Sequence, residues 1–416
     1  MKVGKMKKIT ILIHIDALRH DYITKEDMPF LYGLSRKGIK ARLIPPFGFE
    51  PDGAYLTGTY PDVYEGGMHF IYNEGKSVIP CAKYFPSCLD KLNIYVQYPI
   101  RRFFQWFISK IGHSKRIRQN PFIGQIPFKL LKYFDFCDYL FVHETGFCKE
   151  AYTLFDYLRN EQMNFFYHGA PEFGCSALSV KRRFLTQFKN GTNFIFLLIA
   201  DLDGIGHIYG PNSEERQKIS KLIDHKIYDI YNHLLKFYNV IELIAFGDHG
   251  MAEVKNYVDF RPILKSIPLT IGKDYIYFLD STFARFWFFN DKAKKIITDT
   301  LKNIKGGTII SEKDKSKYRI NYKNRKFGDA IFWIDGETMI FPNFWHVRST
   351  KKGMHGYREE VIDNHASFIY NSSEKDIGNE LKSIEMADVF QTTFYALFGK
   401  TSNNEKVFGK PVQVNK

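Results

Sequence analysis

Short apolar runs recur along this chain, each followed by a stretch with helical spacing. Thr10 to Ile15, Ile39 to Ile44, Asn193 to Ala200 and Val240 to Phe246 read as strands. The first is mostly apolar, as a strand covered on both faces is. Helices are expected over Met28 to Arg36, from Gly53 to Leu56 with an end at Thr57-Gly58, and over Ala177 to Phe188. A longer one is expected over Pro211 to Tyr238, opening on Asn212-x-x-Glu215 in the manner of a capping box. Alternating strands and helices imply right-handed crossovers and a mostly parallel sheet, hence an α/β fold. Ligands of such sheets gather at the carboxyl ends of the strands, and Asp16, Asp201, Asp203 and Asp248 all fall there.

Two stretches break the alternation. Residues 71–145 are rich in aromatic and basic side chains, among them Arg101, Arg102, Lys110, Lys115, Arg116 and Arg118. They are expected to form an inserted cap. Phe103, Phe104, Trp106, Phe107 and Ile108 lie within a short amphipathic segment that either packs on its own domain or, over 101–118, makes peripheral contact with a membrane surface. Residues 254–350 carry strand-like runs at Tyr275–Leu279, Ala284–Phe289, Ala330–Ile334 and Thr338–Phe341 around a helix near 291–304, the pattern of an α+β insertion. The main domain is expected over 8–400, followed by a polar, loose tail over 401–416.

Composition narrows the context. A chain of 416 residues accommodates one large α/β domain with an inserted subdomain, and its 44% hydrophobic and 17% aromatic content excludes a disordered chain. A net charge of +14 favours an anionic phosphate-containing substrate or an anionic membrane surface, with no pattern that singles out nucleic acid. Five cysteines, an odd number without zinc-finger pairing, fit a reducing cytoplasm. Lys2, Lys5, Lys7 and Lys8 precede an apolar run, Ile9 to Ile15, that is too short for a signal-peptide core and lacks a small-residue cleavage site. No run reaches the roughly 18 apolar residues of a spanning helix. A cytoplasmic protein, peripheral at the membrane if the basic cap binds lipid, is the expectation.

Candidate chemistry lies in three segments. Ala200-Asp-Leu-Asp-Gly-Ile-Gly-His-Ile-Tyr-Gly-Pro211 follows a strand and sets Asp203 and His207 four residues apart in what reads as a glycine-relaxed turn. Ala245-Phe-Gly-Asp-His-Gly-Met251 places Asp248 and His249 at another strand end, and Met354-His-Gly-Tyr357 supplies His355. With Asp16, these give three carboxylates and three imidazoles, enough for two three-ligand sites.

On these residues the chain resembles the alkaline phosphatase superfamily, and within it the type I phosphodiesterase/nucleotide pyrophosphatase branch. The resemblance rests on Ile13-His-Ile-Asp16, on Asp203 to His207 with Gly210-Pro211, on Asp248-His-Gly-Met251 and on His355-Gly-Tyr357. Lesser matches are Thr57-Gly-Thr-Tyr-Pro61, Asp224, Ala387-Asp-Val-Phe390 and Leu397-Phe-Gly399. It spans about residues 8 to 400 and little of 71–145. It implies an alkaline-phosphatase-like core, one metal on Asp203, His207 and His355, and another on Asp16, Asp248 and His249. Mixed carboxylate and imidazole ligation suits Zn²⁺, with Mn²⁺ the alternative. Asp201 is expected to orient an imidazole from outside the ligand set.

One part of the pattern is missing. Relatives place a Thr or Ser nucleophile at a helix N-terminus, whereas Pro45-Pro-Phe-Gly-Phe-Glu-Pro-Asp-Gly53 contains no hydroxyl or thiol. Anchoring on Pro51 puts that position at Phe49; anchoring on Thr57-Gly58 puts it at Gly48, or at Phe49 if one residue is deleted. Three routes stay open. A metal-activated water attacks, with Glu50 or Asp52 as base or ligand. A carboxylate is itself the nucleophile. Or the site binds a ligand without turnover. The plain alternative for Glu50 and Asp52 under any route is capping of the helix N-terminus. His69, nine residues after Tyr60, falls where such phosphodiesterases often carry an Asn that donates to phosphate. Arg285 is a candidate substrate contact, and His346 and Arg348 are candidates for the pocket border. The expected function is metal-dependent hydrolysis of a phosphodiester or pyrophosphate bond in a nucleotide, nucleotide-sugar or similar substrate. A silent metal- or ligand-binding pseudoenzyme is the alternative, and a phosphomonoesterase or phosphomutase a lesser one.

Overall fold

A computed structural model describes residues 7–79, 81–322 and 324–412 of the chain; Lys2, Lys5 and residues 413–416 lie outside the described residues. The strands of the central sheet are β1 (Lys8–Ile15), β2 (Ile39–Ile44), β3 (Phe165–His168), β4 (Phe194–Ile199), β5 (Val240–Phe246), β6 (Ala366–Ser372) and β7 (Asn379–Glu385). They stand in the order β7-β2-β6-β5-β1-β4-β3. All neighbours are parallel except β6, which runs antiparallel to both β2 and β5. The expected mostly parallel α/β sheet is therefore present. Four helices carry residues of functional interest: α1 (Asp52–Thr57), α2 (Ile94–Ile111), α3 (Asp201–Tyr209) and α4 (Glu214–Leu234).

The apolar runs form strands because both faces of the sheet are covered. Along β1, Ile9, Ile11, Ile13 and Ile15 pack with Val180 and Phe184 of the helix Ala177–Gln187 and with Ile223, Ile227 and Ile230 of α4. Leu12 points the other way, into a core with Ala54 and Leu56 of α1 and Phe390 of the helix Met386–Phe398. Full burial of one such aliphatic side chain contributes about 1.5–3 kcal/mol. The alternation of faces matters for the site, because it turns His14 toward α1.

Several local expectations change. Residues from Asp201 onward form the helix α3 rather than an open turn. Ser213, not Asn212, caps α4, its hydroxyl accepting from the Arg216 N–H at 3.2 Å. Asn212 instead accepts from the Arg19 guanidinium. Asp224 accepts from the N–H groups of Phe30 and Leu31 at 2.9 Å each, closing the start of the helix Pro29–Lys37. The tail is not loose as far as Val412. Val412 is buried and its N–H donates to Thr392 Oγ1 at 3.0 Å, while the Phe408 N–H donates to the Gly58 carbonyl at 2.9 Å. Val407 and Val412 find a surface beside the helix Met386–Phe398, so composition alone misjudged the tail.

Within residues 254–350, four antiparallel strands stand in the order Tyr275–Leu279, Phe283–Phe288, Ala330–Ile334, Gly307–Ile309, with the helix Asp291–Lys302. Within 71–145, the strand Phe134–Phe136 pairs with Phe70–Tyr72, and α2 buries Gln97, Arg101 and Ile108. One apolar core runs through both stretches. All five cysteines are free.

Candidate active site

Asp16 directly follows β1, α3 directly follows β4, and Asp248 and His249 stand just past the end of β5. His355 follows the two-residue strand Gly353–Met354, which pairs with Ala252–Glu253 beyond β5. Helical spacing on α3 turns Asp203 and His207 to one side, with His207 Nε2 3.1 Å from Asp203 Oδ1. The six residues assemble into two groups, Asp203–His207–His355 and Asp16–Asp248–His249, each with its ligand atoms within 4.8 Å of one another. The rings of His249 and His355 stack at 3.5 Å between centroids, so the groups adjoin.

The donor set fits cations. Asp16 Oδ1 and Asp203 Oδ1 are buried without a hydrogen-bond partner, a costly state for a carboxylate unless a cation meets it. His207 directs Nδ1 at the Gly353 carbonyl (2.8 Å) and His249 directs Nδ1 at the Gly250 carbonyl (2.7 Å). A ring that donates through Nδ1 presents the Nε2 lone pair, the ligating form, and both Nε2 atoms face carboxylates of their own group. Burial pushes the Asp16 carboxyl well above the usual carboxylate range, and Asp248 and Asp203 add to it. Burial acts the same way on Asp203 and Asp248, but His207 beside the former and His249 and His14 beside the latter hold both below that range. Burial, then His249, keeps His355 well below the ordinary imidazole range, so it is neutral, as a ligand must be.

The six ligands line one cleft of about 370 Å³ with Phe49, Glu50, His69, Ser281, Trp345, His346 and Met354. His69 Nδ1 lies 2.8 Å from Glu50 Oε1, and its ring sits between Phe136 and Trp345. Burial opposes ionisation of Glu50, yet the His69 partner lowers its carboxyl to about 2. His69 Nε2 is buried with no hydrogen-bond partner.

Backbone geometry excludes a side chain at Gly48, one of the two positions expected for a hydroxyl nucleophile. Gly48 has φ +109°, and a Cβ there would stand 2.1 Å from the Gly67 carbonyl oxygen. The next N–H, of Phe49, donates to that same oxygen at 2.7 Å. The Phe49 ring then meets His355 edge-on at 5.5 Å, in space left by Gly356, whose own Cβ would lie 2.6 Å from it.

Other expected residues stand elsewhere. Asp52 does not line the cleft; it accepts from the Tyr55 hydroxyl, and burial raises its carboxyl. Neither it nor Glu50 caps α1 through its side chain, the N-cap being Pro51. Arg285 is fully buried, donating to Asp280 Oδ2 (2.7 Å) and to the Phe70 carbonyl (2.9 Å), so it holds the insertion together and cannot meet substrate. Asp201 accepts from the Ala177 N–H (2.6 Å) and orients no imidazole. His346 borders the cleft, and burial lowers its imidazole to about 3. Arg348 lies over the rings of Tyr95 and Tyr98.

Sequence reasoning missed Ser281, which carries no motif, and the buried chain behind Asp248. His14 Nε2 is 3.3 Å from Asp248 Oδ1, and its Nδ1 is 3.2 Å from the Tyr55 hydroxyl. A signal for His14 does exist: it is an imidazole set inside a mostly apolar strand.

The geometry sets two candidate three-ligand groups side by side at the carboxyl edge of a mostly parallel α/β sheet. A family model described as type I phosphodiesterase / nucleotide pyrophosphatase matches residues 141–358, and the chain belongs to that family. It is 23% identical over 254 residues to mouse ectonucleotide pyrophosphatase/phosphodiesterase family member 7, covering 59% of this chain and 50% of the relative. It is 20% identical over 384 residues to a bis(5'-adenosyl)-triphosphatase of Xenopus laevis, covering 91% of this chain and 75% of the relative. Its fold is similar to that of human ectonucleotide pyrophosphatase/phosphodiesterase 5, with a TM-score of 0.68, 15% identity and 97% of each chain covered. It is also similar to an inactive murine form of that protein in complex with AMP, with a TM-score of 0.65 and 14% identity over 94% of this chain and 95% of that one. The chain thus spans half the length of the first of these relatives.

Proposed function

We propose that this protein hydrolyses a phosphodiester or pyrophosphate bond in a nucleotide-type substrate, with two divalent cations and water as the nucleophile. The observation that carries this reading is the meeting of two complete three-ligand groups in one cleft, joined by the stacked rings of His249 and His355. Bound there, the cations would acidify water and clamp the attacking and leaving oxygens of an in-line displacement. The Asp203 group has two imidazoles and suits Zn²⁺; the Asp16 group, with two carboxylates, also suits Mn²⁺. No Lys or Arg stands among the described cleft-lining residues, so phosphate charge is left to the cations.

Glu50 fixes the His69 ring through Nδ1, leaving Nε2 to donate to a phosphate oxygen or to protonate the leaving group. Water attack is favoured because Gly48 cannot take a side chain and Phe49 has no nucleophilic atom. An AMP complex of a related fold and a relative named for cleaving a dinucleoside triphosphate support a nucleotide substrate. The test is turnover of bis(p-nitrophenyl) phosphate and nucleotide sugars with Zn²⁺ or Mn²⁺, for wild type and Asp248→Ala. The substitution should abolish turnover. Activity that survives it overturns the metal assignment; two bound metals with no turnover across the panel would favour a silent binding protein.

A further inference from the structure

α2 presents two unlike faces. Its inner face buries Gln97, Arg101 and Ile108 against the domain. Its outer face leaves Tyr95 73%, Phe103 55% and Trp106 55% exposed, with Val96, Tyr98 and Ile111 exposed beside them. Phe103 anchors an aromatic strip, with Trp106 at 5.9 Å and Phe107 stacked at 6.4 Å. Exposed apolar residues are ordinary when scattered, whereas a contiguous patch marks an interaction surface. Exposed Arg102 and Lys110 interleave with the aromatics, and no Asp or Glu occurs from Lys91 to Phe134. Aromatic rings that bury in an interface and cations that meet its surface charge are the pairing an anionic lipid surface selects. A nucleic-acid face would instead line cations along a groove and would gain nothing from an exposed Val96 or Ile111.

We propose that the outer face of α2 docks the protein in the interface of an anionic phospholipid bilayer. Docking is coupled in space to the candidate active site. Arg348, two residues after the cleft-lining His346, sets its guanidinium 5.3 Å from the Tyr95 ring and 4.8 Å from the Tyr98 ring. The N-terminal turns of α2 are therefore tied to the loop that borders the cleft. The docking segment is residues 95–111, shifted toward the N-terminus from the 101–118 that composition suggested, because Arg116 and Ile117 turn inward. This inference does not depend on the hydrolytic reading.

The test is co-sedimentation of the full chain with phosphatidylcholine vesicles, with or without phosphatidylserine, at physiological salt. Wild type should bind the anionic vesicles and blue-shift its tryptophan emission, and Trp106→Phe should remove that shift. Phe103→Ser/Trp106→Ser should abolish binding while leaving melting temperature and turnover of a soluble diester unchanged. Arg102→Glu/Lys110→Glu should weaken binding by about tenfold or more, since each cation near such a surface is worth about fivefold. Failure to bind anionic vesicles overturns the proposal, as does equal binding to neutral ones or binding that survives the Phe103/Trp106 change. Self-association through the patch, or capture of a DNA oligonucleotide in place of vesicles, would overturn it as well.

Discussion

His69 Nδ1 lies 2.8 Å from Glu50 Oε1, at the edge of the cleft that holds both ligand groups. The pair sets the first prediction. Glu50 is ionised far below its ordinary value of 4.5, at about 2. A carboxyl lowered on folding adds stability that is complete above 4.5 and fades as pH falls toward 2. Glu50→Gln should cost about 1–3 kcal/mol at neutral pH, with a gap in melting temperature that starts to narrow only below pH 4.5. A gap that stays unchanged as pH falls from 4.5 to 2 would contradict the pairing.

Gly48 has no room for a hydroxyl-bearing side chain. A residue with φ +109° and a Cβ pressed on the Gly67 carbonyl is strained by at least about 1–3 kcal/mol. Gly48→Thr should therefore melt several degrees lower than wild type and acquire no covalent phosphoryl intermediate on quenching with substrate.

Direct attack by water has a stereochemical signature. Hydrolysis of a chiral phosphorothioate diester should invert configuration at phosphorus, because one in-line displacement occurs. Retention would mean a protein nucleophile, and Glu50 and Ser281 would be the first suspects because both line the cleft. Ser281→Ala should keep turnover.

His14 Nε2 lies 3.3 Å behind Asp248 Oδ1, and the Tyr55 hydroxyl lies 3.2 Å from His14 Nδ1. Partners of this kind typically tune metal affinity by about 10–100-fold. His14→Ala should weaken binding at the Asp16 group by about that factor in a competition titration, with binding at the Asp203 group little changed. Equal loss at both groups would indicate general unfolding instead.

Arg285 gives a control of the opposite kind. Removing one partner of a buried ion pair costs about 3–5 kcal/mol, so Arg285→Met should destabilise strongly through stranded Asp280. The KM of whatever native-state enzyme remains should not change.

How much of the molecule is legible in the sequence depends on how local each cause is. β1 and β5 declare themselves because strands covered on both faces need mostly apolar runs. The six ligands stand out because strand ends converge on one edge of the sheet, so motifs far apart in sequence share a place. α3 reads as a turn because Gly204 and Gly206 each cost a helix about 1 kcal/mol. Gly206 lets the helix approach Met251 closely, a side chain at 206 having only 3.0 Å to it, and that packing is invisible in the local sequence. The same limit explains Arg285 and Asp52. Both are polar residues near functional motifs, and only the folded chain shows that Asp280 and Tyr55 have claimed them.

Metal stoichiometry against turnover tests the central claim most directly. Chelated protein should be inactive toward a diester substrate. Adding Zn²⁺ or Mn²⁺ should restore turnover that levels off at two equivalents per chain, while Asp203→Ala and Asp248→Ala each bind one fewer ion and stay inactive. Full activity without metal, or saturation at one equivalent with either aspartate replaced, would contradict a two-metal hydrolase.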